Sequence, residues 1–368
     1  MELSSTLAWL VDKAEASPGA DRFLAELGAH LIEDGVPLAG GALTLAVPHP
    51  IIARSTWLWR ANTGTVIESL GFTAGFAMTG IQNPSGNPGR DWLAKIAPGP
   101  VQEDAAGARP DGPVLGWVGP RAFTPAEADR LREAARFAGA PLAALSARAT
   151  LTAALEAYLG RRSAAKVLAG PLRRGVGETI RAALLYADLR GFTALSEASP
   201  PAAVIAALDA WFDRIAGSVH AFGGEVLKFM GDGLLAIFPV SGESPAGACE
   251  AALRAVSAAE AGMAHLNMSR RRQGLPSLSF RAALHIGEIL WGNIGAADRL
   301  DFTAIGPAVN LVSRLEGLCG SLDRAILISG ALAAETSASL IPLGSHALRG
   351  IAAPCTVYTL PDSRAGAT

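Results

Sequence analysis

The chain has 368 residues, with 31 Lys and Arg against 33 Asp and Glu and a net charge of -2. At roughly 100–200 residues per domain, that is a chain of about two domains, each long enough to bury its own core. The near-zero balance excludes bulk electrostatic binding to nucleic acid, and 50% apolar residues with 17% charged exclude a disordered chain.

The mean hydropathy of +0.30 raises the question of a membrane. Long uncharged windows such as 35–53 are broken, here by Pro37, Pro48, Pro50 and paired glycines, whereas a spanning helix needs about 20 apolar residues in a row. No transmembrane segment is expected. The first residues carry Glu2 and no basic run, a poor secretory signal. Cys249, Cys319 and Cys355 are odd in number and far apart, without metal or disulfide spacing. A reducing, cytoplasmic location is the expectation.

In chain order, 21–33 predicts a helix from Phe23, Leu24, Leu27 and Leu31 at helical spacing. Strands are expected at 43–47, 51–60, 66–70 and 114–118. Trp57, Trp59 and Trp117 lie on them and serve either as core or as the lining of a ligand pocket. The stretch 83–110 is rich in Gly, Pro and polar residues and reads as loop. The run FTPAEADRLREAARFAG opens a helix with Thr124 as N-cap, Pro125 in the first turn and Glu127 closing a capping box; its end is expected near Gly139. A second helix at 143–162 leads into a basic stretch, 161–174. The organisation expected is therefore a regulatory unit at 1–140, a linker helix and junction at 141–176, and a second domain at 177–362.

The second half reads as α+β. A strand at 182–187 ends in Asp188, and a helix begins at Ser199-Pro200-Pro201 and stops at Gly223-Gly224. Strands at 225–230 and 234–238 flank the tight turn Gly231-Asp232-Gly233. A helix at 245–267, strands at 279–285, 288–295 and 300–305, a helix at 308–318 and strands at 325–328 and 356–360 follow. Helices alternating with hairpins predict a mostly antiparallel sheet close to the split βαβ, ferredoxin-like arrangement.

Two carboxylates carry the chemistry. If the strand ending at Asp188 neighbours the hairpin bearing Asp232, both meet at one sheet edge, where a hard divalent cation finds oxygen ligands. Taken alone, Asp232 also fits a plain Asp-Gly turn and Asp188 a helix cap. Arg190-Gly191-Phe192-Thr193 turns into a helix whose first amides suit a phosphate. Lys228 lies four residues before Asp232, an even spacing that puts both on one strand face unless it is a solvated edge lysine. His285, on an apolar strand, reads as structural.

ALLYADLRGFTALSE, GGEVLKFMGDGLLAIF and DFTAIGPAVNLVSRLE, in that order, resemble the catalytic domain of class III nucleotidyl cyclases over about residues 178–361. The resemblance implies two Mg²⁺ or Mn²⁺ ions held by Asp188, Asp232 and the Leu189 carbonyl. It implies a triphosphate held by the backbone at Phe192 and Thr193 and by Arg281. Lys228 and Thr303 would read the base, Asn310 would orient the ribose, and Arg314 would stabilise charge on the reacting phosphate. Lys228 implies ATP as substrate, where guanylate-type relatives carry glutamate; Thr303 resembles the subclass whose members include bicarbonate-responsive adenylate cyclases. The family's composite sites imply a homodimer. Pro307 departs from the polar residue common in relatives, and a match of Arg349 to a triphosphate lysine is loose. The expected function is thus an adenylate cyclase with an N-terminal α/β, GAF-like sensor domain taking a small-molecule or bicarbonate regulator. The alternatives are a guanylate cyclase and a degenerate nucleotide-binding regulatory protein.

Overall fold

The computed structural model describes residues 4–46, 52–72, 87–107, 112–171 and 173–361. The expectations that fall on Glu2, residues 47–51, the two ends of the 83–110 stretch, Leu172 and Asp362 lie outside the described residues. Contacts divide the chain into two compact units, Met1–Leu155 and Glu156–Thr368.

The first unit contains α1 (Ser5–Asp12), α2 (Ala20–Glu33), β1 (Gly40–Ala46), β2 (Ile52–Arg60), β3 (Val66–Phe72), α3 (Pro88–Ile96), β4 (Gln102–Ala105), β5 (Val114–Val118) and all but the last four residues of α4 (Pro125–Leu159). Its sheet runs β3-β2-β1-β5-β4, with every pairing antiparallel. Strand alternation gives each face its own core. Leu43, Leu45, Trp59, Leu115 and Trp117 pack with Phe23, Leu27 and Leu131 of α2 and α4. Ala42, Leu58 and Val118 pack with Leu93 of α3. Trp59 and Trp117 are thus core, and the rings press on Gly28 and Gly41, where a Cβ would come within 2.4 Å of them.

Two expectations for this unit are corrected. The 83–110 stretch holds α3 and β4. The side chain of Asn87 accepts from the amides of Gly89 and Arg90, Pro88 sits in the first turn, and Leu93 is buried. Gly89, Trp92, Leu93 and Ile96 do fall at helical spacing against the core, but the stripe is barely two turns long and is set among Gly, Pro and polar residues that read as loop. The second correction is α4, which continues through Gly139 and Pro141 as one helix. Its capping box forms as expected: the Thr124 amide donates to Glu127 Oε2 at 2.7 Å, and the Glu127 amide to Thr124 Oγ1 at 3.3 Å. The buried stripe Leu131, Ala134, Ala135, Ala138, Leu142 and Leu145 keeps helical register across both residues, so tertiary burial outweighs their intrinsic cost. Gly139 serves close approach: a Cβ there would lie 2.5 Å from the Gly107 Cα.

The second unit contains α5 (Arg161–Ala169), β6 (Gly177–Arg190), α6 (Phe192–Ala198), α7 (Pro201–Ala221), β7 (Glu225–Met230), β8 (Gly233–Pro239), α8 (Ala246–Arg272), β9 (Ser279–Gly295), β10 (Leu300–Ile305), α9 (Pro307–Glu316), β11 (Ile326–Ser329), β12 (Ile341–His346) and β13 (Cys355–Thr359). The sheet runs β12-β13-β11-β9-β6-β8-β7, with β10 also on β9. Only the β9–β11 pairing is parallel among the described strands. One face carries α7 and α8, where Trp211, Ile215, Cys249 and Val256 cover Leu185, Leu234 and Leu284. The other carries α9, where Ala308, Val312 and Leu315 cover Leu184, Leu235 and Leu327. This is the α+β pattern expected.

Here too the structure differs in particulars. The 279–285 and 288–295 strands are one, β9, because Ile286 and Gly287 continue the ladder against Ala183 and Ala182. Gly287 admits α9: a Cβ there would come 2.7 Å from that of Ala308. The stretch 161–174 is no plain junction, since α5 forms within it. Its N-terminal amides at Arg162 and Ser163 donate to the buried Glu225 carboxylate at 2.9 Å each, and Ser163 Oγ at 2.6 Å. Pro307 begins α9, where a missing amide costs nothing.

His285 is buried against Ser329, with Nδ1 2.8 Å from Oγ, and burial pushes its pKa from the ordinary 6.5 down to about 4. Between those values the unfolded chain takes up a proton that the folded chain refuses. Stability therefore falls as pH drops from 6.5 towards 4, by up to about 1.4 kcal/mol per pH unit for this group. His285→Asn is expected to show a shallower decline of its urea midpoint over that window than the unmodified chain. Gly139→Ala is expected to lower the urea midpoint of the first unit. It gains about 1 kcal/mol of helix propensity but suffers an overpacking penalty of ~1–3 kcal/mol.

Candidate active site

The β6 register sets the first cluster. Asp188 lies opposite Gly233 of β8 and Arg281 of β9, and the Leu189 amide donates to the Asp232 carbonyl at 3.1 Å. Gly231 supplies the left-handed φ of 65° that the turn before Asp232 requires. The two aspartates are thereby juxtaposed. Asp188 Oδ1 is buried with no hydrogen-bond partner among the described residues. Burial, then the neighbouring Asp232 carboxylate, pushes the Asp188 pKa up to about 6.

A pocket of about 410 Å³ opens on these groups, lined by Asp188, Leu189, Arg190, Gly191, Phe192, Thr193, Asp232, Arg281 and Glu316. Gly191 takes φ 75° and hands β6 to α6, so the first α6 amides, at Phe192 and Thr193, face outward from the helix ladder. Arg281 Nε is buried and unpartnered among the described residues. Glu316, from α9, is raised to about 7 by burial and then by the Asp188 charge. Among the described residues no group of three or more His, Cys, Asp or Glu side chains could hold a metal ion by itself. An orphaned carboxylate oxygen beside a second carboxylate nevertheless fits a hard divalent cation, provided that a backbone carbonyl and substrate oxygens complete its shell.

A second cluster forms apart from that pocket. β7 bulges between Val226 and Lys228, and Lys228 Nζ donates to Asp301 Oδ2 on β10 at 2.9 Å. Thr303, two residues on, is buried, and its Oγ1 has no partner among the described residues. The even-spacing argument that joined Lys228 to Asp232 is corrected, because the strand ends at Met230 and Asp232 lies in the turn beyond it, where strand alternation no longer applies. Asn310 and Arg314 lie one turn apart on the exposed side of α9, opposite Ala308, Val312 and Leu315. None of Lys228, Thr303, Asn310 and Arg314 lines the carboxylate pocket.

Sequence reasoning missed Asp301, Glu316 and Glu225. Asp301 and Glu316 lie inside or beside the quoted motifs, but their partners are far along the chain. Glu225, directly after Gly223-Gly224, looks like an ordinary strand start until α5 is docked on it.

Residues 177–347 match the adenylate and guanylate cyclase catalytic domain family. Adenylate cyclase 1 of Rhizobium meliloti is 33% identical over 178 residues, which is 47% of this chain and 26% of that protein. The adenylate cyclase of Anabaena cylindrica is 32% identical over 159 residues, 42% of this chain and 30% of that one. The chain thus spans between a quarter and a third of the length of these relatives. Among solved structures, the adenylyl cyclase CyaB from P. aeruginosa is 30% identical with a TM-score of 0.46, covering 52% of this chain and all of that one. A bacterial light-regulated adenylyl cyclase is similar in fold at 20% identity and a TM-score of 0.53, covering 72% of this chain and 86% of that one. With its carboxylate pair on β6 and the following hairpin, and three motifs in order along one sheet, residues 177–347 form a domain of the class III adenylate and guanylate cyclase catalytic type.

Proposed function

We propose that this chain is an adenylate cyclase that converts ATP to 3′,5′-cyclic AMP and pyrophosphate as a homodimer with composite sites, under control of its N-terminal unit. The observation that carries the reading is the division of labour on one chain. Asp188, Asp232, Arg281 and the Phe192–Thr193 backbone share a pocket, while Lys228 and Thr303 stand together elsewhere. Each half lacks what the other has. Two copies in a symmetric pair unite them twice. Phe229, Met230 and Ile305, exposed apolar residues next to the two clusters, suit burial in such a seam.

In the reaction the ribose 3′-oxygen bonds to the α-phosphorus, the α–β bridging bond breaks, and pyrophosphate leaves. Two Mg²⁺ or Mn²⁺ ions, held by Asp188, Asp232 and the Leu189 carbonyl, would supply Lewis acidity and neutralise phosphate charge. The amides of Phe192 and Thr193 and the Arg281 guanidinium hold the triphosphate. Lys228 donates to an adenine ring nitrogen, and the Thr303 hydroxyl accepts from the exocyclic amine. Asn310 orients the ribose. Arg314 presents a fixed cation where charge develops on the reacting phosphate. Positioning and electrostatics thus carry the rate, with no covalent enzyme intermediate.

The first unit is read as a sensor of the GAF-like kind. Its cavity of about 370 Å³ is lined by Leu38, Ala39, Arg60, Ala61, Asn62 and Ile96, while the tryptophans form core. A small molecule bound there would act by biasing how two catalytic halves meet. Among the described residues no helix is long and apolar enough to cross a membrane.

Asp232→Ala and Arg314→Ala are each expected to lose at least about a thousandfold in turnover, as expected for groups acting on the transition state. Mixed in equal amounts, the two inactive variants should regain a substantial fraction of activity, since one of the two sites in a mixed dimer is intact. No recovery on mixing, with dimers present by light scattering, would overturn the composite site. The unmodified chain should favour ATP over GTP in initial-rate assays with Mn²⁺, and a GTP preference would overturn the substrate assignment.

A further inference from the structure

We propose that Arg190 is a further substrate-binding residue of the carboxylate pocket: its guanidinium takes the terminal phosphates of the nucleoside triphosphate and holds them as pyrophosphate leaves. The inference rests on the reading of that pocket as the triphosphate site proposed above.

Three observations converge on it. The first is the side of the sheet. Leu189 belongs to the core on the α7–α8 face, so its neighbours Asp188 and Arg190 both project to the α9 side. Residues opposite one another on a ladder share a side. Arg281, opposite Asp188, therefore projects there as well. The second is crowding of like charge. Arg190 lies opposite Ser279, which makes it the diagonal neighbour of Arg281, and both arginines line the pocket of about 410 Å³. Long side chains reach one another across such a diagonal. Two cations placed so repel unless an anion lies between them. The third is the lack of an internal partner. Neither arginine forms an ion pair among the described residues, and Arg281 Nε is buried without an acceptor.

The chemistry of the lining selects the ligand. Asp188, Asp232 and Glu316 favour cations, and the two guanidiniums favour oxyanions. A polyphosphate carried with divalent ions satisfies both sets, whereas a neutral base or a lone carboxylate leaves one set unmatched. Position selects which phosphates. Asp188 and Asp232 mark the reacting α-phosphate in the proposed reaction. Arg190 is two residues past Asp188 at the end of β6, so its backbone sits ~7 Å farther along the strand, towards the far end of the chain of phosphates. The planar fork can grip two phosphate oxygens at once and stays protonated throughout, so it binds the leaving group without exchanging a proton. Arg190 is exposed, and its replacement costs the fold little.

The experiment uses the full chain and three variants, with Mn²⁺. Arg190→Gln should raise the ATP KM about tenfold with kcat within about threefold, because the contact is made with substrate and transition state alike. The same variant should weaken inhibition by added pyrophosphate about tenfold. By titration calorimetry, its affinity for 3′-deoxy-ATP, which lacks the attacking hydroxyl, should fall about tenfold as well. Arg190→Lys should recover part of each loss, and Arg190→Glu should raise KM further than Arg190→Gln. Unchanged KM, pyrophosphate inhibition and 3′-deoxy-ATP affinity in Arg190→Gln would overturn the inference. A fall in kcat and melting temperature with KM and affinity unchanged would mark Arg190 as structural and equally overturn it. Should the glutamine variant fold poorly, Arg190→Met keeps the apolar stem and carries the same expectations. An unmodified chain that makes no cyclic AMP would instead overturn the proposed function, and 3′-deoxy-ATP binding would still test Arg190, so the two failures are distinguishable.

Discussion

The ladder between β6 and β9 is the constraint on which the catalytic unit depends. It runs antiparallel from Gly177 opposite Gly292 to Arg190 opposite Ser279. Both faces of the sheet are covered by helices, so a slip of one residue would exchange the two cores and is strongly disfavoured. That fixed register puts Asp188 beside Arg281, and the pairing of β6 with β8 adds the Asp232 turn. The juxtaposition of two carboxylates, costly in isolation, is thus held by backbone pairing and two apolar cores. Neither aspartate needs a private scaffold. Burial first, and then the Asp232 charge held beside it, raise the Asp188 pKa.

Legibility in the sequence followed the range of the interactions. The strand ending in Asp188, the Gly231-Asp232-Gly233 turn and the Thr124 capping box are local patterns, and they could be read from a few neighbouring residues. The carboxylate pocket was legible as far as its motif residues. What could not be read was set by distant partners. Asp301 gains meaning from Lys228, 73 residues away, and Glu225 from Ser163, 62 residues away. Glu316 meets the aspartates only because α9 packs back across the sheet.

Glycine and proline illustrate the same limit. A helix end near Gly139 and a strand break between 285 and 288 are the expectations that follow from punctuation, the commonest local meaning of these residues. In the folded chain the two glycines let backbones approach, Gly139 against Gly107 and Gly287 against α9, and each lies inside a continuous element. Pro141 is carried through α4 by the buried stripe on either side of it. Whether a glycine ends an element or packs one is decided by what stands opposite it, and that is a tertiary fact.

The bulge and the lysine of β7 have a consequence outside recognition. β7 is an edge strand of the catalytic sheet, with one row of backbone amides and carbonyls open to pairing. A bulge that twists the edge and a charged side chain placed on it are both devices that deter a foreign strand from adding there. The bulge and Lys228 are therefore also guards against aggregation. Exchanging Lys228 for a neutral side chain would remove a sentry from the sheet as well as altering the base site proposed for it, so solubility is the second quantity such a variant changes.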